Sequence, residues 1–339
     1  MIFEYLSKIY NLNFDLVSMV TIPGVSPIFM WIGFLILVII FLIVDLGIFH
    51  KKNHEISIKE ALTWTGVWFT LAMIFDLFLY FEFGAGTSLK FFGGYLLEKA
   101  LSVDNIFVIF LVFISFKIEK KYQHKILFWG ILGAIILRGM LILLGTTLVD
   151  RFHWIFYIFG IFLIYSASQM LIKKDEDFDP HESWVVKFIH KIVPVVRDHK
   201  NGKLVVKDKG RMAVTILFVT LVVVEITDLL FAFDSIPAIF GITTDPFIVF
   251  TSNIFAILGL RSLYFVIAKI HDLFHYLNYG LAAILSFIGL KMIFMDFIHI
   301  STVLSLIIIF AMLLIAILIS IFFPPKIVVA KKSKKKYKK

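Results

Sequence analysis

The sequence predicts an all-α polytopic membrane protein with about nine transmembrane helices and an inverted 3+3 repeat. Three observations predict this class. Only 17% of the 339 residues are charged and 60% are hydrophobic, whereas a soluble protein carries about 25% charged residues. The mean hydropathy is +0.96. The apolar residues lie in runs long enough to cross a bilayer, and carboxylates recur at matched places in two of these runs.

Nine segments have the length that a transmembrane helix requires, which is about 20 mostly apolar residues. The sequence predicts these helices at 27–49, 62–83, 89–116, 126–148, 154–172, 212–235, 246–268, 277–297 and 300–323. Residues 1–26 have no positively charged leader with a small-residue cleavage site, so no signal peptide is expected. The predicted organisation is two helices in 27–83, three-helix repeats in 84–172 and 212–297, and a last helix in 298–323.

Lysine and arginine mark alternate loops. They cluster after the first, third and fifth predicted helices and in the tail 324–339, and they are nearly absent from the other loops. Basic loops usually face the cytoplasm, so the N-terminal segment 1–26 is expected outside and the tail inside. This arrangement requires an odd number of helices. The net charge of +9 therefore reflects topology, and no nucleic-acid partner is expected.

The longest loop, residues 173–211, is basic and contains the stretch 183–192, with apolar residues at helical spacing. That stretch predicts an amphipathic helix on the cytoplasmic face. The lysines between Lys331 and Lys336 indicate either an anionic-lipid contact or simple topological anchoring. The lipid bilayer is the other expected partner, and the sequence indicates no oligomeric state.

Two apolar segments carry carboxylates that match when they are aligned. When Glu98 is aligned with Asp228, Asp104 aligns with Asp234. Each motif therefore consists of an acidic residue, five intervening residues and an aspartate. Ionisable groups inside a bilayer cost roughly 2.5–3.5 kcal/mol each on insertion scales, and they mark functional sites by default. The two motifs therefore predict the functional centre.

The match between the two segments extends beyond the acids. The helix after each motif contains one arginine, Arg138 in the first copy and Arg261 in the second, and each copy has three predicted helices. Because three is odd, the second copy enters the bilayer from the opposite side, and the pair forms an inverted-topology repeat. Such repeats in transporters place the substrate near mid-membrane, at the repeat interface.

The motifs offer carboxylate, hydroxyl and amide oxygens. The sequence contains no cysteine, and no histidine lies in either motif, which disfavours zinc and copper. Hard oxygen donors suit Mg²⁺, Ca²⁺ or Mn²⁺. The predicted metal ligands are Glu98, Asp104, Asn105, Glu225, Asp228, Asp234 and Ser235. The accessory candidates are Asp76, Ser102, Asn253, Arg138 and Arg261.

Buried ion pairs that hold helices together are the alternative interpretation, because Lys99, Arg138 and Arg261 could offset three of the five carboxylates. The surplus of acids favours a cation or a proton as the missing partner. No nucleophile–base pair and no histidine-based metal site is evident in the sequence. We therefore expect neither enzymatic activity nor a resident cofactor.

Helical geometry limits how the ligands can meet. Glu98 and Asp104 are six residues apart, which places them about 9 Å apart along a helix and about 120° apart around it. One straight helix cannot direct both at one ion. The site then requires ligands from both repeats or a broken helix, which Gly93, Gly94 and Pro237 would favour. We expect a single site between the third and sixth helices, with the last aspartate of each motif at its core.

Longer stretches of the chain resemble the TerC/Alx family of integral membrane proteins. The resemblance rests on residues 94–107, 124–138, 231–238 and 252–265, and it covers roughly 27–323. It implies a bacterial inner-membrane protein linked to tellurium resistance, the response to alkaline pH and manganese homeostasis, with members that export Mn²⁺. It also implies a place near the LysE-type transporter superfamily.

The resemblance further implies a cation path, which would include Glu98, Asp104, Asn105, Asp228, Asp234 and Ser235. Asp76 departs from the asparagine expected at its position in the family, which puts its role in doubt.

The leading functional hypothesis is a secondary transporter that exports a divalent cation, above all Mn²⁺, in exchange for protons. Oxygen ligands fit Ca²⁺ almost equally, so a Ca²⁺-type exchanger is an alternative. A passive cation channel is another. A membrane scaffold in tellurite or metal-stress resistance, with partners bound at 173–211 and at the tail, is the alternative from a different class.

Overall fold

The computed structural model describes residues 27–49, 58–172, 184–196, 202–208, 211–270 and 276–322. These contain eleven helices and three short strands. The helices are α1 (Pro27–Phe49), α2 (Ile58–Phe83), α3 (Ala85–Ser115), α4 (Lys120–Arg151), α5 (Ile155–Ile172), α6 (Trp184–Ile192), α7 (Ile216–Phe240), α8 (Pro246–Leu258), α9 (Leu260–Ile270), α10 (Leu277–Ile293) and α11 (Thr302–Phe322). The strands are β1 (Val195–Val196), β2 (Val205–Asp208) and β3 (Arg211–Thr215). The N-terminal segment 1–26 and the tail 324–339, both subjects of prediction, lie outside the described residues.

Each of the nine predicted apolar segments overlaps one of these helices or the pair of α8 and α9. Five of them, α2, α4, α5, α7 and α11, are long and apolar enough to cross a membrane, and the bent pair of α8 and α9 would make a sixth. Helix α3 is long enough but too highly charged to count among them. Any stretch of 18 residues in it contains at least three charged residues, namely Glu98, Lys99 and either Lys90 or Asp104. The all-α membrane class is confirmed, and the count of nine stays a prediction.

The two helix triplets, α3 to α5 and α7 to α10 (with α8 and α9 as one bent unit), pack in matching pairs. The first helix of each triplet packs against the second helix of the other, so α3 contacts α8 and α7 contacts α4. Gly130 on α4 faces Val224 on α7. Further along, Gly145 faces Phe240, so α4 and α7 run in the same direction.

The third helices of the two triplets, α5 and α10, pack against each other. Gly160 faces Ile293, and Gly289 faces Ile164, so these helices run in opposite directions. A side-chain carbon at Gly160 would lie 2.8 Å from the carbonyl oxygen of Gly289. The two backbones therefore approach closely, as small residues allow between helices in a membrane.

Helix α8 is buried along its whole length, residues 246–258. The carboxylate of Asp245 caps its start by accepting hydrogen bonds from the amides of Phe247 and Ile248, at 3.0 and 3.2 Å. Pro246 follows at the first helical position, where its missing N–H costs nothing. In contrast, α1, α2 and α11 expose many large apolar side chains, as lipid-facing helices do.

A three-stranded sheet next to α6 is absent from the sequence-based prediction. Its order is β1–β3–β2, with β1 parallel and β2 antiparallel to β3. The strands have two to five residues, and β3 merges into the apolar run of α7, so no strand period stands out. Because residues 211–215 pair as a strand, α7 begins at Ile216, four residues after the predicted start. Helix α6 itself lies within the stretch predicted to be an amphipathic helix.

A broken helix near the motifs, the alternative that Gly93, Gly94 and Pro237 would favour, is not what the structure contains. Gly93 and Gly94 lie inside the continuous helix α3, and Pro237 lies inside the continuous helix α7. Gly94 instead allows a close approach, since a side-chain carbon there would lie 2.7 Å from Oγ of Ser252. The chain bends at Gly259, where α8 and α9 meet at 46°.

We expect Gly160→Ala to destabilise the protein by about 1–3 kcal/mol, because the added carbon overpacks the contact between α5 and α10. The free energy of unfolding in detergent micelles measures this change. Gly66→Ala on α2 is the matched control, since no atom lies within 4 Å of the added carbon and alanine favours the helix. Equal stability of the two variants would contradict the close packing of α5 on α10.

Candidate functional site

Arg138 on α4 joins the two triplets. Its Nη2 and Nε atoms donate hydrogen bonds to the carboxylate oxygens of Asp228 on α7, at 2.7 and 3.0 Å. Its Nη1 atom donates to Oε1 of Glu98 on α3 and, at 3.4 Å, to Oδ1 of Asn253 on α8. Four oxygen atoms from three helices therefore surround one guanidinium group.

These four residues, named here the Arg138 cluster, are removed from solvent. The exposed fractions of Glu98, Arg138, Asp228 and Asn253 are 1%, 1%, 8% and 0%. A buried carboxylate needs a partner of opposite charge, and one guanidinium serves two carboxylates here. The second oxygen of Glu98, Oε2, has no hydrogen-bond partner among the described residues. The cluster therefore keeps a net negative charge when its three charged groups are ionised.

A further carboxylate, that of Glu225, lies beside the Arg138 cluster. Glu225 precedes Asp228 by three residues, so both lie on one face of α7. Both acids line a small cavity whose other walls are apolar. The Glu225 carboxylate faces Gly133 on α4, and its Oε2 atom is buried without a hydrogen-bond partner in the described part of the chain.

Two other predicted acids lie outside the Arg138 cluster. Asp234 accepts a hydrogen bond of 2.6 Å from Oγ of Ser166 on α5. It follows Asp228 by six residues, which is about 9 Å along α7. Asp76 on α2 faces Ser88 on α3. Ser88 is ten residues before Glu98, which is about 15 Å along the helix.

The predicted core of Asp104 and Asp234 is not where the described contacts converge. The side chain of Asp104 lies outside the described residues. Its neighbour Asn105 is buried, and so is Ser235 in the second motif. Oδ1 of Asn105 and Oγ of Ser235 have no hydrogen-bond partner among the described side chains. The contacts centre on Arg138, which the sequence analysis placed only among the accessory candidates.

The remaining accessory candidates are Ser102 and Arg261. Ser102 donates a hydrogen bond of 2.8 Å to the carbonyl of Lys99 within its own helix. Arg261 is 2% exposed and lies two residues beyond the bend at Gly259. The two aligned arginines therefore differ in position, since Arg138 lies in the middle of a continuous helix.

Lys99 binds the end of α8, a role that sequence reasoning missed. Its Nζ atom donates a hydrogen bond of 2.8 Å to the carbonyl of Ala256. This is one of the last four carbonyls of α8, which have no regular partner inside the helix. The ammonium also lies against Gly259, where a side-chain carbon would be 2.7 Å from it. The only sequence signal was an unexplained lysine within an apolar segment, which does not identify a partner 157 residues away.

Lys291 on α10 has a corresponding role at the end of α7. Its Nζ atom donates hydrogen bonds to the carbonyl of Gly241, at 2.9 Å, and to Oγ of Ser305, at 2.8 Å. A cation at the C-terminal end of a helix is favourable because the helix dipole is negative there. The second triplet thus receives a lysine at the ends of two of its helices, from α3 at α8 and from α10 at α7.

The chemical capacity of the site follows from these contacts. Within the described residues, no three Asp, Glu, His or Cys side chains are grouped so that they could hold a metal ion. The carboxylate and amide oxygens best placed to do so, those of the Arg138 cluster, hold the guanidinium instead. The arrangement is a buried, negatively charged centre that holds one cationic group between two helix triplets.

Comparison with known proteins places the chain in a family. A family model described as "Integral membrane protein TerC family" matches residues 83–327. The "Uncharacterized membrane protein STKORF319" of Myxococcus xanthus is 44% identical over 295 residues, or 87% of this chain and 92% of that one. The "Putative membrane-bound redox modulator Alx" of Salmonella typhi is 39% identical over 293 residues, or 84% and 91% of the two chains. No solved structure shows significant similarity. Because the family match contains the whole Arg138 cluster and well over half of the chain, this protein belongs to the integral membrane protein TerC family.

Proposed function

We propose that this protein exports a divalent cation, and that Mn²⁺ is its substrate. The observation that carries the proposal is the convergence of Glu98, Asp228 and Asn253, from both triplets, on one buried cationic group. Carboxylate and amide oxygens suit hard divalent cations. The manganese-linked resemblance of the motifs favours Mn²⁺ over Ca²⁺, and the cation is exchanged for protons.

The inverted repeat and the LysE-like architecture belong to this proposal. The first helix of each triplet packs on the second helix of the other, and the third helices pack antiparallel on each other. A two-fold axis in the membrane plane would generate these pairings. In transporters of that design the substrate binds at the interface between the repeats, which is where the Arg138 cluster lies. The full count of nine transmembrane helices belongs to the same proposal.

Redox modulation is a second candidate function, and the name of the Alx relatives suggests it. The 339 residues contain no cysteine, so the chain itself has no side chains for thiol–disulfide exchange. A protein could modulate redox chemistry without cysteine by controlling the amount of a redox-active metal such as manganese. The two candidate functions are therefore compatible.

A membrane scaffold is the alternative from a different class. Its partners would bind at residues 173–211 and at the tail 324–339, and the Arg138 cluster would be a purely structural ion-pair network. In that case the buried acids would matter for stability and not for metal content. Charge-neutralising substitutions separate the two possibilities.

We expect Asp228→Asn to reduce Mn²⁺ export about tenfold or more, as changes to the groups that support a metal site typically do. The measurement is the manganese content of overexpressing cells under Mn²⁺ load, where the variant should accumulate the metal. Asp150→Asn, an exposed acid at the end of α4, is the matched control and should export normally. Asp104→Asn and Asp234→Asn test the two motif aspartates in the same way. Wild-type manganese content in all three motif variants would contradict the proposal.

Flux into proteoliposomes tests the substrate and the coupling. We expect the purified protein to transport Mn²⁺ faster than Ca²⁺ or Mg²⁺, and a proton gradient to accelerate the flux. Equal flux with and without the gradient would indicate a passive channel. Absence of flux for all three ions would favour the scaffold.

The proposed location is a bacterial inner membrane, with the N-terminus outside and the C-terminus in the cytoplasm. The chain contains no cysteine, so single introduced cysteines report topology without background. We expect a membrane-impermeant maleimide to label Phe297→Cys in intact spheroplasts, because this side chain is 81% exposed in the turn after α10. Lys191→Cys, on the exposed face of α6, should react only after permeabilisation. The reverse pattern would contradict the orientation.

A further inference from the structure

The guanidinium of Arg138 occupies the place where the oxygen atoms of the site converge. Both oxygens of Asp228, one oxygen of Glu98 and the amide oxygen of Asn253 accept its hydrogen bonds. A metal ion bound by the same oxygens would need distances of about 2.0–2.6 Å to them. Such an ion would overlap the guanidinium, so the two cations cannot hold these oxygens together.

We propose that Arg138 is a tethered cation that competes with the transported ion for Glu98 and Asp228, and that Glu225 receives its guanidinium when the ion is bound. This inference rests on the proposed function and assigns Glu225 a positioning role, in place of the ligand role predicted from the sequence. Arginine suits a competing cation because it stays charged and its planar fork matches carboxylates.

The position of Glu225 fits that of a receiving group. It lies one helical turn from Asp228 on the same face of α7, where neighbouring β-carbons are about 5–6 Å apart. Both acids line the same small cavity, so their carboxylates border one shared space. Glycine at position 133 leaves space for the Glu225 carboxylate against α4, the helix that carries Arg138. Oε2 of Glu225 has no hydrogen-bond partner among the described residues.

The charges of these groups favour a divalent ion. The three carboxylates of Glu98, Glu225 and Asp228 and the one guanidinium of Arg138 sum to −2 when all are ionised. One divalent cation brings this sum to zero. With the ion held by Glu98 and Asp228 and the guanidinium paired with Glu225, each of these charges has an opposite charge as its neighbour. A monovalent ion would leave one carboxylate unpaired.

A double-mutant cycle tests the competition. Isothermal titration measures the binding of Mn²⁺ to the purified full-length chain, as wild type, Glu225→Gln, Arg138→Gln and the double variant. We expect Glu225→Gln alone to weaken binding about tenfold, because the displaced guanidinium loses a charge-assisted partner. Arg138→Gln should tighten binding about tenfold, because the competitor is gone. In the Arg138→Gln background, Glu225→Gln should change the affinity less than about twofold.

An equal loss of affinity from Glu225→Gln in both backgrounds would overturn the inference, because Glu225 would then act on the metal directly. That result would leave the proposed function intact. Absence of Mn²⁺ binding by all four proteins would contradict the proposed function together with the inference.

A second background protects the test against misfolding, since Arg138→Gln leaves two buried carboxylates without their counter-ion. Arg138→Lys keeps the positive charge but cannot form the bidentate pair. Thermal unfolding of each variant shows which background is folded. In the Arg138→Lys background we expect tighter Mn²⁺ binding than in the wild type and a smaller effect of Glu225→Gln. An undiminished effect there would also overturn the inference.

Discussion

The arrangement of the bundle depends on one buried guanidinium. Without Arg138, the carboxylates of Glu98 and Asp228 would be unpaired charges in an apolar interior, a situation that costs about 3–5 kcal/mol in comparable buried pairs. Its hydrogen bonds reach α3, α7 and α8 from α4. A single side chain therefore connects four helices. This requirement orders the interface between the triplets in a way that apolar contacts, which are non-directional, cannot.

Close packing around this centre is possible because several positions at the helix contacts are glycine. Gly133 leaves room for the carboxylate of Glu225, and Gly94 leaves room for Ser252. Gly160 lets α5 approach the backbone of α10. Helices in a membrane gain little hydrophobic free energy from association, so close contact and polar bonds determine which of them pair. The ion pairs set the register of the helices, and the glycines set their distance.

The helices and the acids of the site were predictable from the sequence, whereas the partner of each acid was not. Apolar runs of about 20 residues have few stable forms besides helices, and carboxylates within them are rare. Glu98 and Asp228, which the alignment of the motifs set against each other, share Arg138. Asp234 instead bonds Ser166, because six residues of helix rotate it by about 120° from Asp228. The small sheet was not predictable because its strands are too short to show a long alternating run. The bend at Gly259 was not predictable because no proline marks it.

Lys99 gives the site a mechanical connection. It follows Glu98 directly on α3, and its ammonium holds the end of α8 beside the bend at Gly259. A rotation of α3 that carries Glu98 away from Arg138 would therefore also pull on the joint between α8 and α9. The Arg138 cluster and this joint are therefore connected through two consecutive residues of one helix. Helix α3 thus contributes a side chain to the Arg138 cluster and also contacts the end of α8.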